Sequence, residues 1–333
     1  MKVLIVDDSV LMRNILKDFF TRYEFEVVGE ASNGRMAIEM NDRLQPDLVT
    51  MDFDMPVMNG IDATTALMQR RAVPVVMISG EVTDTVRFAA FKAGAADVIE
   101  KPELDRFYDA GFTSDLNGRL RGVTAEPRRT ATTKNTRAIA HTPPTEGVDL
   151  VVIGASTGGP VAVKTVLSAL PADFPVAIAV VQHIEARFAD GYARWLNGEC
   201  ALAVRLATDG EVLTGGTVIV APGDQHLLIQ QGRVVLDNGP KVGNQRPAVD
   251  RLFESAAESN GARLVGVLLT GMGRDGAAGC VAIREHGGCT VVQDEATSFI
   301  FGMPKAAAEL GGASVIKPLG EIPTFLQKVV NGG

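Results

Sequence analysis

Apolar and polar positions alternate in blocks along the first hundred residues. Short, largely apolar runs at 2–6, 26–29, 48–51, 75–78 and 97–99 are separated by stretches with helical spacing, among them 10–20 and 34–44. A strand–helix rhythm repeated five times predicts a parallel sheet with helices on both faces. The rhythm restarts at 150–153, an unbroken apolar run of the kind found in strands buried on both faces. It ends in Gly154-Ala155-Ser156-Thr157-Gly158-Gly159-Pro160, after which Val161, Val163, Val166, Leu167 and Leu170 mostly share one helix face. Further buried-type strands are predicted at 176–181 and 264–269, and a helix at 188–196. The spacing of Ala248, Val249, Leu252, Phe253, Ala256 and Ala257 marks an amphipathic helix. Residues 218–229 and 233–236 read as a hairpin turning at Gln231-Gly232. The predicted fold class is α/β, with two doubly wound parallel-sheet domains. The first, 1–123, closes with a helix over 104–123. The second, 148–333, is Rossmann-like. Residues 124–147 lie between them, rich in Thr and Pro and too poor in large apolar side chains to bury a core, and are read as a linker.

Composition narrows the class without changing it. The chain has 333 residues, long enough for two ordinary domains, with 46% hydrophobic and 22% charged residues. A net charge of -8 disfavours nucleic acid as the main partner, which usually leaves a basic footprint. No apolar run reaches membrane-spanning length, so membrane insertion is not expected. The N-terminus, MKVLIVDDS, meets acid after six residues, unlike a signal peptide. Cys200, Cys280 and Cys289 show no metal or redox spacing and read as reduced thiols, consistent with an expected cytoplasmic location.

In parallel sheets, chemistry gathers at the carboxyl ends of the strands. In the first domain those ends carry Asp7 and Asp8, then Asp52, then Ser79, then Lys101. Converging carboxylates repel one another unless a cation sits among them, and oxygen-only ligands suit a hard ion such as Mg²⁺. A lysine and a hydroxyl beside them suit a phosphoryl group, with Asp52 as acceptor. Single acids at strand ends would be ordinary solvated loop residues; the ordered set is not. VDDS, MDFDMPVMNG, Ser79 and EKP together resemble a response-regulator receiver domain. The resemblance covers about the first 120 residues. It implies phosphorylation of Asp52 by a sensor histidine kinase, with Mg²⁺ held by Asp7, Asp8 and Asp52, and Ser79 and Lys101 as switch residues. Receivers often carry an aromatic residue three positions before the lysine; Val98 stands there in this chain, so the relay is expected to run through Ser79 and loop movement.

In the second domain, a strand, a small-residue turn and a helix can lift the Ser156 hydroxyl out of the sheet, with Gly154 and Gly158 framing it as G-x-S-x-G. A nucleotide-binding turn shares that outline, although Ser156 replaces the second glycine of G-x-G-x-x-G. A serine nucleophile needs a base and an orienting acid. Of the four histidines, His183 alone follows a core strand at the same sheet edge. His141 falls in the linker segment, His226 follows a turn before the hairpin, and His286 falls in a helix-to-strand loop. The strand at 264–269 ends in Thr270-Gly271-Met272-Gly273-Arg274-Asp275-Gly276, offering Asp275 either as the orienter or as an ordinary helix cap. The order Ser, His, Asp differs from that of α/β-hydrolases, chymotrypsin and subtilisin.

GASTGG, QH, APGDQHL, RPAVD, LLTGMGRDG and QDEATSFIFGMP follow one another as in bacterial protein-glutamate methylesterases of chemotaxis-type pathways. This resemblance covers about residues 148–333. It implies Ser156 as nucleophile, His183 as base and Asp275 as orienter, with Thr157 and Met272 near the oxyanion. It also implies a methyl-accepting chemoreceptor as substrate, methanol as product, and deamidation of receptor glutamines. No cofactor is expected in this domain. The family usually has Met-Pro after the histidine, where this chain has Ile184-Glu185. The alternative is a phosphorylation-controlled binding module with a non-catalytic Rossmann-like output domain.

Overall fold

The computed structural model describes residues 1–331 except 81, 104, 105, 108 and 125–146. The chain forms two compact units, Met1–Glu126 and Pro127–Gly333. The segment read as a linker, 124–147, lies almost wholly outside the described residues. Among those residues, no helix is long and apolar enough to cross a membrane.

The first unit contains strands β1 (Lys2–Val6), β2 (Glu26–Ala31), β3 (Leu48–Met51), β4 (Val75–Ser79) and β5 (Asp97–Glu100). They pair in parallel in the order β2-β1-β3-β4-β5. Helices α1 (Val10–Arg22), α2 (Gly34–Leu44), α3 (Gly60–Arg70) and α4 (Asp84–Ala93) connect them. Each of these four helices is started by a side chain that accepts the N–H three residues on, from Ser9, Asn33, Asn59 and Thr83 respectively. The last helix, α5 (Ala110–Thr124), begins later than the expected 104–123. Asp109 sets its start by accepting the Phe112 N–H at 2.7 Å.

The second unit is organised by a seven-stranded sheet of order β14-β13-β12-β6-β7-β9-β8, with every pairing parallel. Its central strands are β6 (Leu150–Ala155), β7 (Ala177–Gln182) and β12 (Leu264–Leu268); β8 (Ala203–Leu206), β9 (Thr217–Val220), β13 (Cys289–Gln293) and β14 (Val315–Lys317) flank them. From β6 the chain winds one way through β7, β9 and β8, and later the other way through β12, β13 and β14. The topological switch therefore lies between β6 and β12, where open α/β sheets place their ligands. The helices are α6 (Gly159–Ser168), α7 (Ala189–Glu199), α8 (Val249–Asn260), α9 (Ala277–Glu285), α10 (Met303–Glu309) and α11 (Ile322–Val330).

One strand expectation needs correction. Residues 218–229 are not continuous: β9 stops at Val220, and β10 (His226–Gln230) pairs only with β11 (Arg233–Asp237), antiparallel. Pro222 and Gly223 interrupt the run, and Asp224 adopts φ 62°, so the chain leaves the large sheet before the hairpin begins.

Helix α8 lies over the sheet with Val249, Leu252, Phe253, Ala256 and Ala257 fully buried. Phe253 fills space against Gly266 of β12 and Gly279 of α9. Truncation there leaves a cavity that rigid neighbours cannot close. Phe253→Ala is expected to cost about 3–5 kcal/mol, read as an earlier urea transition of the second unit.

Candidate active site

The central strands end at one level. Ala155 of β6 is in register with Gln182 of β7, and the His183 N–H donates to the Ala155 carbonyl at 3.0 Å. On the other side, the Ser156 N–H donates to the Thr270 carbonyl at 3.0 Å. Ser156, His183 and the Thr270 loop therefore leave the sheet side by side, with Ser156 in the middle. Gln182 ties two of them together: its Nε2 donates to the Ser156 carbonyl at 2.8 Å and to the His183 carbonyl at 3.0 Å.

His183 and Asp275 meet directly. His183 Nε2 lies 2.8 Å from Asp275 Oδ2, with both side chains largely buried. The Asp275 carboxylate also accepts the N–H of Val249 (2.7 Å) and of Asp250 (2.9 Å). Burial alone would raise its pKa. The hydrogen bond and charge of His183, with the two amides, outweigh burial and hold it below the usual carboxylate value. An ionised Asp275 can only accept, so His183 donates from Nε2, and Nδ1 is the acceptor nitrogen whenever the ring is neutral. Among the described residues no hydrogen bond joins the Ser156 hydroxyl to His183; such contacts often tighten only with substrate in place.

Asp275 bonds His183 and also caps a helix, but not the helix that follows it. It does not cap α9, which follows it; the cap position there is Gly276, which has no side chain. Instead its carboxylate caps α8, which begins 26 residues earlier in the chain at Val249. Two of the glycines around it serve close approach: a Cβ on Gly271 would sit 2.7 Å from Ser156 Cβ and 2.2 Å from Met303 Sδ, and one on Gly276 would sit 2.7 Å from Val249 Cγ1.

The loops beside Ser156 are fixed by Thr270. Its N–H donates to Gln293 Oε1 at 2.8 Å, and its hydroxyl donates to the Thr157 carbonyl at 3.0 Å and accepts the Ile300 N–H at 2.8 Å. The N–H groups of Thr157 and Met272 donate to no protein group among the described residues. His226 is fully buried and remote in role: Nδ1 accepts the Ala248 N–H (3.2 Å) and Nε2 donates to the Pro240 carbonyl (3.0 Å). His141 lies outside the described residues. A cavity of about 630 Å³ beside the hairpin, lined by Arg233, Ser255 and Glu258 among others, includes none of these groups.

In the first unit, Asp7, Asp8 and Asp52 present carboxylate oxygens within 4.8 Å of one another. Lys101 Nζ lies 2.7 Å from both Asp7 Oδ2 and Asp52 Oδ2. Burial, and secondarily the charge of Asp7, raises the Asp52 pKa, against the opposing pull of Lys101 and the Phe53 N–H. Ser79 is buried at the end of β4, and its carbonyl accepts the Lys101 N–H at 2.7 Å. Val98 is buried within β5, and its carbonyl accepts from Arg87 Nη1 at 3.1 Å.

Sequence reasoning assigned no role to Gln182, Thr270 or Asp250. Gln182 lies in QH, Thr270 in LLTGMGRDG and Asp250 in RPAVD, but bonds from side chains to distant backbone groups have no spacing signature.

Fold and site together define a two-part α/β protein: a receiver-like unit with an acidic strand-end cluster, and a doubly wound unit with a serine beside a His–Asp pair at its switch point. Residues 3–110 match the response regulator receiver domain and residues 151–326 match the CheB methylesterase domain, and the chain belongs to the CheB methylesterase family. It is 41% identical to a protein-glutamate methylesterase/protein-glutamine glutaminase of Anaeromyxobacter dehalogenans, over 98% of this chain and 96% of that one. A Pyrococcus horikoshii protein of the same description is 40% identical over 99% of this chain and 93% of its own length. The crystal structure of the Thermotoga maritima CheB methylesterase catalytic domain matches at TM-score 0.53 and 40% identity, covering 56% of this chain and 100% of that one.

Asp275 holds α8 as well as His183. Asp275→Ala is therefore expected to lower stability by about 1–2 kcal/mol, the usual loss for a cap. The measure is chemical denaturation of the second unit.

Proposed function

We propose that this chain hydrolyses glutamate γ-methyl esters on a methyl-accepting chemoreceptor, through Ser156, His183 and Asp275, under control of phosphorylation at Asp52. The observation that carries the reading is the His183–Asp275 bond at the strand end next to Ser156. Ser156 Oγ attacks the ester carbonyl while its proton passes to His183 Nδ1. Asp275 holds the tautomer and stabilises the imidazolium. The Thr157 and Met272 N–H groups are the donors assigned to the oxyanion. Collapse of the tetrahedral intermediate breaks the bond to methoxide, which leaves as methanol with the proton from His183. Water then hydrolyses the acyl-enzyme by the same base, leaving a glutamate carboxylate. With a receptor glutamine the same route expels ammonia, in keeping with the glutaminase activity in the names of the relatives.

The phosphodonor is a sensor histidine kinase, and Asp52 is the acceptor. Asp7, Asp8 and Asp52 fit Mg²⁺, because they offer only oxygen donors, and close together. Mg²⁺, when bound, supplies positive charge beside the acceptor. Lys101 then pairs with the phosphoryl oxygens, and Ser79 offers its hydroxyl.

Ser156→Ala should lower methanol release from methyl-labelled receptor by at least about a thousandfold, with His183→Ala similar and the double variant little worse than either. Near-additive losses would show that the two do not act as a unit. A binding module would release no methanol even before substitution. Separately, Asp52→Asn should abolish labelling by acetyl phosphate, and chelation of Mg²⁺ should do the same to the unsubstituted chain. Labelling that persists in Asp52→Asn moves the acceptor elsewhere.

A further inference from the structure

Helices α8 and α9 each start without a local side-chain cap. The residue before α8 is Ala248 and the residue before α9 is Gly276, neither with a side-chain acceptor. Amides in the first turn of each helix nonetheless find a carboxylate, α9 from within α8 and α8 from the loop just ahead of α9. Asp275, just ahead of α9, accepts the Val249 and Asp250 N–H groups of α8. Asp250, in the first turn of α8, accepts the Gly279 N–H of α9 at 2.7 Å. Close approach makes the exchange possible: a Cβ on Gly279 would meet Phe253 Cβ at 2.5 Å and Asp250 Cα at 3.3 Å.

We propose that Asp250 is a positioning residue for the reaction: by capping α9 from α8 it locks together the two helix starts that hold Asp275 against His183. Without its bond to Gly279, the α9 start loses that tie to α8, the loop carrying Asp275 is held to α8 by the Val249 and Asp250 amides alone, and the carboxylate is less tightly confined to the line of His183 Nε2. A charged group accepts such a cost only with compensation. Burial foremost, with the charges of Asp275 and Glu254, raises the Asp250 carboxyl to about 6, against the pull of the Gly279 and Gly276 N–H groups. An acid kept there at that disadvantage is consistent with a job that a neutral apolar residue cannot do.

The proposal rests on the Ser156–His183–Asp275 reading for its catalytic consequence, but not for its geometry, so the test reads both. The full chain is compared with its Asp250→Ala and Asp250→Asn variants, well below their melting temperatures. Hydrogen exchange of the backbone amides at positions 249 and 250 reports the hold on Asp275 whether or not any ester is cleaved. Both amides should exchange at least about tenfold faster in Asp250→Ala. In Asp250→Asn, whose side-chain oxygen still accepts from Gly279, they should stay within about threefold of the original. On methylated receptor, kcat should fall about tenfold or more in Asp250→Ala with KM nearly unchanged, and return most of the way in Asp250→Asn. Because coupling is reciprocal, Asp275→Ala should speed exchange at Gly279. That arm decides the matter if Asp250→Ala does not fold. Unmoved amides across the pair, or loss of stability with full kcat in Asp250→Ala, would overturn the proposal. A chain that shows the exchange response but never releases methanol would instead remove the esterase reading alone.

Discussion

A buried carboxylate kept ionised is the constraint on which the second unit depends. Taking a charge out of water costs several kcal/mol unless hydrogen bonds and opposite charge replace the solvent. Asp275 has three such replacements: His183 Nε2, and the Val249 and Asp250 amides. Two of them exist only if α8 begins where it does, so the helix that covers the sheet also sets the electrostatics of the site. The packing of Phe253, Leu252 and Ala256 beneath α8 is therefore not separable from the chemistry. Core burial places the helix start, His183 first and the helix-start amides second keep the acid anionic, and the anion accepts from His183 Nε2.

The two units handle a strand-end acid in opposite ways. Asp52 has carboxylate company in Asp7, and Lys101 is shared between the two; its pKa stays raised. Asp275 has a histidine and a helix start, and its pKa is lowered. The first arrangement leaves unsatisfied negative charge facing the strand ends, where a divalent cation and a phosphoryl group could complete it. The second is complete in itself and requires nothing from outside to remain ionised. The two acids are thus distinguished by their partners, not by their position on the sheet.

Much of this was legible in the sequence because short apolar runs ending in a single polar residue are hard to read otherwise. The strand ends at Asp52, Lys101 and His183, and the turn at Ser156, fell where the runs stopped. Edge strands were harder. In β8 only Val204 is buried and β14 has three residues, so neither leaves a strong pattern. The run 218–229 looked continuous because apolar residues flank the turn at Pro222–Asp224, although their environments are different sheets. The exchanged caps were invisible for a more basic reason. Capping is recognised by an acceptor two or three residues ahead of the donor, whereas Asp275 and Asp250 reach amides 26 and 29 positions away. Gln182 escaped similarly, since its amide binds the backbone of Ser156 rather than any patterned side chain.

The unusual chain order of serine, histidine and aspartate follows from where β6 sits. It is the first strand of its sheet to be laid down and ends as a central one, between β12 and β7. Ser156, after β6, is therefore first in sequence and has a strand on either side. The first winding adds β7 and brings His183 alongside, its N–H bonded to Ala155. Only when the chain returns across the switch to lay β12 can the opposite loop supply an acid, so Asp275 comes last. His183 and Asp275 consequently approach from opposite sides of Ser156 and join by the 2.8 Å bond. In α/β-hydrolases the acid precedes the histidine, so the order of residues reports the winding of the sheet, while the chemistry depends only on which atoms finally meet.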